Sequence, residues 1–256
     1  MGFKKRGQIT MFIIVAIAII AVAGIIFYIN NNQKNIDKEF FEQVAIKPQL
    51  DALQTQIMTC MDEVTLGSLD LIGIQGGYYN APADYFDLQW AILPYYYNQG
   101  KFAMPTTSTI ENELAKAIDN DLTTCLNLIQ DENFETNYKT PKTKVSIEKQ
   151  EVKFDIDLPI SIKKQDKTMT LELEDYPITQ TSSLYDMIEI AKYITDSHKE
   201  DPEMICITCI ADMARDKNLY VDFLDFTDPT TTLVTISNNE TSAPFVFEFL
   251  NKYPVA

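Results

Sequence analysis

The spacing of apolar and polar positions changes character along this chain. From Met11 to Ile29 the sequence is uncharged and apolar throughout. At 1.5 Å per residue these nineteen positions predict a helix of about 28 Å, close to the hydrocarbon thickness of a bilayer. From Ile36 to Ile72 the apolar residues Phe40, Val44, Leu50, Leu53, Ile57, Cys60, Met61 and Val64 recur mostly at three- and four-residue intervals. That spacing predicts an amphipathic helix, kinked or restarted at Pro48. Ser108-Thr109-Ile110-Glu111 reads as a capping box opening a second helix through about Gln130, with Ile110, Leu114, Ala117, Cys125 and Ile129 on one side. Beyond residue 140 the period drops to two. Val145 and Ile147, then Val152, Phe154, Ile156 and Leu158, then Ile160 and Ile162, and finally Met169, Leu171 and Leu173 alternate with polar residues. Lys164 to Lys167 reads as a hairpin connection.

Ser183 to about Ser197 returns to helical spacing, and Asp201-Pro202-Glu203 carries the start signals of a further helix. Leu219–Phe226, Thr231–Ser237 and Phe245–Leu250 read as strands. All eight glycines lie at or before Gly100, which suggests a helical first half and a strand-rich second half. The predicted architecture is α+β. A basic leader at 1–7 and a transmembrane helix at 8–29 precede a helical stalk and aromatic-rich segment at 30–135. An exterior domain at 140–256 follows, built on an antiparallel sheet of about five to seven strands with helices on one face.

Charge around the apolar run sets an orientation. Lys4, Lys5 and Arg6 precede it, whereas Lys34 and Lys38 after it are accompanied by Asp37 and Glu39. A basic bias on the first side predicts a cytoplasmic N-terminus and an exterior C-terminal domain in a single-pass cell-membrane protein. The order Lys5-Arg6-Gly7-Gln8, immediately before the apolar run, resembles the class III (prepilin-type) signal peptide of archaeal type IV pilin-like proteins. The resemblance covers about residues 4–29. It implies cleavage after Gly7, with Gln8 as the mature N-terminus, and packing of the apolar helix into a filament core. Thr10 stands where archaeal members often carry Ser. Phe12 departs from the pattern, because pilins often place Glu at the fifth mature position to register subunits during assembly. The same features describe an uncleaved signal anchor with a basic flank.

Composition is that of a folded chain, with 46% apolar and 11% aromatic residues. A formal charge of −16, from 37 acidic and 21 basic residues, disfavours nucleic acid as a partner. Aromatic residues cluster between the first two exterior helices: Tyr78, Tyr79, Tyr85, Phe86, Trp90, Tyr95, Tyr96 and Tyr97 follow Gly76-Gly77, a pair suited to a turn with positive φ. Tyr78, Tyr79, Trp90, Tyr95, Tyr96 and Tyr97 are candidates for contact with a neighbouring subunit, a cell-surface protein or a glycan, although most of these aromatics are expected to pack in the core.

Four cysteines in an exterior domain suggest disulfides. Cys60 and Cys125, on the apolar sides of two predicted helices, are one candidate pair, and buried free thiols are the alternative. Cys206-Ile207-Thr208-Cys209 is a CxxC motif, read as a local disulfide, a redox site, a packing element or half of a metal site that lacks its mate, and predicted to be buried by Ile205, Ile207 and Ile210. The single histidine, His198, lies among Ser197, Lys199, Glu200 and Asp201 and is predicted to cap a solvated helix end. No nucleotide-binding glycine loop, Ser-His-Asp arrangement, metal-ligand spacing or cofactor motif is present in the sequence. Asn239-Glu240-Thr241 is an N-glycosylation sequon. Two readings follow. One is a cell-surface structural or interaction protein in contact with the lipid bilayer, a filament subunit or adhesin that self-associates through its N-terminal helix. The other is a membrane-tethered exterior enzyme, such as a thiol-disulfide oxidoreductase using the CxxC.

Overall fold

A buried stripe of small and aliphatic side chains runs along the first long helix, α1 (Lys47–Ile74). Leu53, Ile57, Cys60, Met61, Leu69 and Ile72 are buried at the three- and four-residue spacing of one helix side. Pro48 lies in its first turn, where the missing amide costs no intrahelical bond, and the part of the predicted helix before residue 46 lies outside the described residues. A computed structural model of the chain describes Val22 and residues 46–129, 133–171, 178–201, 204–239 and 244–254.

The expected architecture of a membrane-spanning helix, a stalk and a separate antiparallel domain needs correction. Among the described residues, no helix is long and apolar enough to cross a membrane. The span predicted at 8–29 lies outside the described residues except for Val22, as do the leader residues Lys5, Arg6, Gly7 and Gln8. The segment expected to form a helical stalk contains three strands, β1 (Tyr85–Asp87), β2 (Ile92–Asn98) and β3 (Lys101–Phe102). They belong to the main sheet.

The chain divides into two compact units. One comprises Met1–Thr55, Asp131–Asn137 and Ile160–Leu171. It holds a three-stranded sheet in the order β4 (Glu135–Tyr138), β7 (Ile160–Lys164), β8 (Lys167–Leu171). The β7–β8 hairpin falls where the alternation predicts it, and turns at Gln165 with φ +55°. Lys164 Nζ donates to Gln49 Oε1 (2.8 Å) and lies over the Phe134 ring.

The other unit holds two sheets and most of the helical residues. Its main sheet runs β1, β2, β12 (Val246–Lys252), β11 (Thr231–Asn238), β10 (Leu219–Phe226), with β3 paired to β2. β10, β11 and β12 form an antiparallel meander, but β12 pairs with β2 in parallel, so the sheet is mixed. A smaller sheet runs β5 (Lys142–Glu148), β6 (Glu151–Asp157), β9 (Ile178–Thr181). Helix α2 (Thr107–Leu128) packs on β5, and α3 (Leu184–Glu200) touches both sheets.

The start of α2 differs from the predicted capping box. Thr106, not Ser108, is the N-cap, and its hydroxyl accepts from Thr109 N (3.2 Å). Glu111 turns outward from the helix start and accepts from Ile147 N of β5 (3.0 Å), while Asp119 accepts from Thr143 N (2.9 Å). Carboxylates of α2 thus occupy the outer amides of an edge strand, where free donors would otherwise invite another chain. The next helix, α4 (Ile207–Asp216), begins six residues after the predicted Asp201 start, because Cys206 supplies the cap.

Cys60 of α1 and Cys125 of α2 form a disulfide, with a Cα separation of 6.2 Å. Closing a 65-residue loop stabilises the chain by about 4 kcal/mol in the chain-entropy model. Replacing both cysteines with Ser is expected to lower the unfolding free energy by about that amount, measured by urea denaturation against the parent protein.

Candidate functional site

Most aromatic candidates are structural. Tyr96 is fully buried, stacks on Phe249 with ring centroids 4.3 Å apart, and donates its hydroxyl to Gly76 O (2.7 Å). Tyr97 is also buried and stacks on His198 at 4.9 Å. Tyr78 donates to Ala103 O (3.0 Å), and the Tyr79 amide donates to Glu113 Oε2 (3.2 Å). Tyr78, Tyr79 and Tyr95 are half-buried, and Trp90 alone of the six stands largely free, 69% exposed. The charge of Glu113 fixes this loop. Burial opposes the ionised carboxylate, but donors from Asn80 and Lys116 outweigh it and hold the carboxyl below its usual range.

His198 is not at a solvated helix end. It is 1% exposed, with Tyr97 stacked on it and Tyr253 against its edge. Asn251 Nδ2 donates to its Nε2 (3.3 Å), so neutral imidazole is the matching form, and burial pushes its pKa below the ordinary value. Its polar sequence neighbours concealed this, since the covering residues come from β2 and the end of β12.

The surface that combines exposure, apolar character and reactive chemistry lies on α4 and β10. Cys206 and Cys209 are joined in a disulfide at the start of α4. Cys206 is exposed and Cys209 half-buried, so the expectation that isoleucines bury the motif is corrected. Ile210 and Ala214 turn inward, while Ile207 points to the surface with 53% exposure. Cys206 Sγ accepts from Cys209 N (3.2 Å) and lies 3.6 Å from Thr208 Oγ1. The first cysteine is therefore held where the helix amides point, the position that favours a thiolate when the bond is open.

The other end of α4 is pinned by Lys217, which pairs with Asp186 (2.5 Å) and Glu189 (2.7 Å) of α3. Burial opposes the ammonium, but those two carboxylates outweigh it and raise its pKa. Asn218 then takes φ +55°, a left-handed turn that Asn tolerates, and sends the chain back as β10. Helix and strand enclose a groove of about 420 Å³ lined by Ile207, Ala211, Ala214, Tyr220, Val221 and Phe223. Ten residues of α4 rise about 15 Å, which brings the helix start level with Phe223 after roughly four strand residues. Ile207, which follows Cys206, is part of the lining, so the disulfide adjoins the groove at the start of α4.

β10 is the last strand of its sheet, and among the described residues no strand pairs with its outer edge. Tyr220 and Leu224 are 55% and 53% exposed on it. This edge is open, unlike that of β5. Asn239, the sequon residue, is exposed just beyond β11, where its side chain accepts from Tyr220 Oη (3.3 Å). Among the described residues no group of three His, Cys, Asp or Glu could hold a metal ion. The CxxC was readable as a motif, whereas the groove was not, because it depends on β10 being a terminal strand.

Two outcomes test these placements. Tyr96→Ala is expected to cost about 3–5 kcal/mol of stability, and Trp90→Ala less than about 0.5 kcal/mol, in parallel urea titrations. For His198, the unfolded imidazole takes up a proton near pH 6.5 while the folded one resists. Its stabilising effect is complete above that pH and is lost as pH falls through the depressed folded value. The stability gap between the parent and His198→Asn should therefore shrink below pH 6.5, by up to about 1.4 kcal/mol per pH unit. A gap that stays constant from pH 7.5 to 5 would refute the buried neutral form.

No protein-family model, curated protein or solved structure matches the chain.

Proposed function

We propose that the chain is a cell-surface structural or interaction protein whose folded part works outside the cell. The observation that carries this reading is the pairing of all four cysteines in two disulfides. Such bonds persist in oxidising, exterior compartments and are rare in the cytosol. The strongly acidic balance supports it, since it suits a soluble exterior surface and disfavours nucleic acid. The leader-like order Lys5-Arg6-Gly7-Gln8 adds a pilin-like character to the proposal, with self-association as the corresponding role. The open edge of β10 and exposed Trp90, Tyr85 and Phe102 offer contact area for a protein or glycan.

The test uses protein in its own host. Protease added to intact cells is expected to degrade residues 46–254, and alkylation without reductant is expected to leave all four cysteines unmodified. Protection of the folded part until lysis, or four reactive thiols in freshly isolated protein, would place it inside and end the proposal.

A further inference from the structure

The Cys206–Cys209 bond differs from the Cys60–Cys125 bond in where it sits and what surrounds it. Cys60 is buried on α1 and Cys125 half-buried on α2, and their disulfide links the two helices across 65 residues. Cys206 is exposed, is the N-cap of a ten-residue helix, and adjoins an apolar groove bounded by an open strand edge. We infer that Cys206–Cys209 is a redox-active disulfide that exchanges with cysteine thiols of an extended polypeptide lying in the α4–β10 groove. This goes beyond a structural role at the cell surface and does not depend on it.

The chemistry follows from the placement of the two sulfurs. A thiolate of the incoming dithiol polypeptide attacks the exposed Cys206 Sγ. The Cys206–Cys209 bond breaks, its electron pair leaves on Cys209 Sγ, and a mixed disulfide joins the polypeptide to Cys206. The second thiolate of the polypeptide then attacks its own sulfur in that mixed bond and expels Cys206 as a thiolate. Cys209 N–H and the Thr208 hydroxyl are placed to receive that charge, at 3.2 and 3.6 Å. The polypeptide loses two electrons and two protons to become a disulfide, and the protein gains both to become a dithiol. A disulfide-bearing polypeptide run through the same steps in reverse restores Cys206–Cys209.

The groove selects among thiols. Ile207, the residue after Cys206, lines the groove together with Ala211, Tyr220 and Phe223, and among the described residues no strand pairs with the outer edge of β10, which leaves room for an added strand. Asp212, Asp216, Asp222 and Asp225 outnumber Arg215 and Lys217 on these two elements, and both cations are paired with carboxylates. Arg215, the one charged residue lining the groove among the described residues, is neutralised by Asp212, and the two elements around it carry more acidic than basic residues. This balance favours a neutral or cationic apolar segment and disfavours a small anionic thiol.

The experiment uses the full chain and two reductants, dithiothreitol and a synthetic cationic peptide carrying two cysteines between apolar residues. Alkylation and mass spectrometry follow each sulfur pair. Cys206–Cys209 is expected to be reduced at least tenfold faster than Cys60–Cys125 by both reagents. With the oxidised peptide, pre-reduced Cys209→Ser is expected to accumulate a mixed disulfide at Cys206, and pre-reduced Cys206→Ser none. Ala211→Gln is expected to slow the peptide about tenfold, while dithiothreitol stays within about twofold of the parent rate. Equal reduction rates for the two disulfides, or trapping at Cys209 in place of Cys206, would overturn the redox assignment. Equal slowing of both reagents by Ala211→Gln would overturn the groove as the polypeptide site.

Discussion

The larger unit depends on a backbone-to-backbone contact between the end of α1 and the middle of the main sheet. A Cβ at Gly73 would lie 2.2 Å from Val246 O, and one at Gly76 would lie 2.5 Å from Glu248 O. Both oxygens belong to β12, so no larger residue fits without moving a strand. Gly76 and Gly77 also adopt φ of +51° and +82°, which turn the chain off the helix. With the helix end seated there, Gln75 Oε1 accepts from Ile92 N (3.1 Å) at the start of β2, and Tyr96 Oη reaches Gly76 O. The contact therefore determines where β2 begins, and β2 in turn joins β12 in parallel.

From that junction the rest of the unit is arranged around α3. Its buried positions, among them Leu184, Met187, Ile190, Ala191 and Ile194, occupy more than one side of the helix. That breadth follows from its contacts with β2 and β11 on one sheet and β5 and β6 on the other. A helix serving two sheets has little polar surface left. Part of what remains anchors α4, through Asp186 and Glu189 on Lys217. The orientation of the α4–β10 groove thus traces back through α3 to the glycine contact.

The amphipathic and alternating segments were legible because each has one wet side. β5, β6, β7 and β10 to β12 lie close to where period-two alternation predicts them. β2 was hidden for the opposite reason. Leu93, Pro94, Tyr96 and Tyr97 are buried, so no alternation shows, and Pro94 argues against a central strand. The structure reconciles that proline: pairing with β12 starts at Tyr95, and Pro94 faces only β1, opposite Tyr85. The parallel junction between segments about 150 residues apart left no local signal. His198 was misread from its neighbours, since burial was imposed by Tyr97 and Tyr253 from distant strands. In the candidate site, sequence identified the sulfur chemistry but not its exposure, because three isoleucines within six residues resemble a core segment when the fold is unknown.

The two disulfides separate stability from reactivity. In the chain-entropy model a bond spanning 65 residues contributes about 4 kcal/mol, whereas one spanning three contributes less than about 2 kcal/mol. Opening Cys206–Cys209 also leaves Ile210 and Ala214 buried and Lys217 bound to α3, because those contacts do not pass through the sulfurs. The helix that presents the motif is held at its far end and along its inner side. Its N-terminus can therefore change covalent state without the unit losing its core. The Cys60–Cys125 bridge has less freedom, since it ties α1 to α2 and α2 shields the outer amides of β5. The arrangement assigns the large entropic constraint to the bridge that has a buried sulfur, at Cys60, and leaves the short-loop bond at the exposed Cys206.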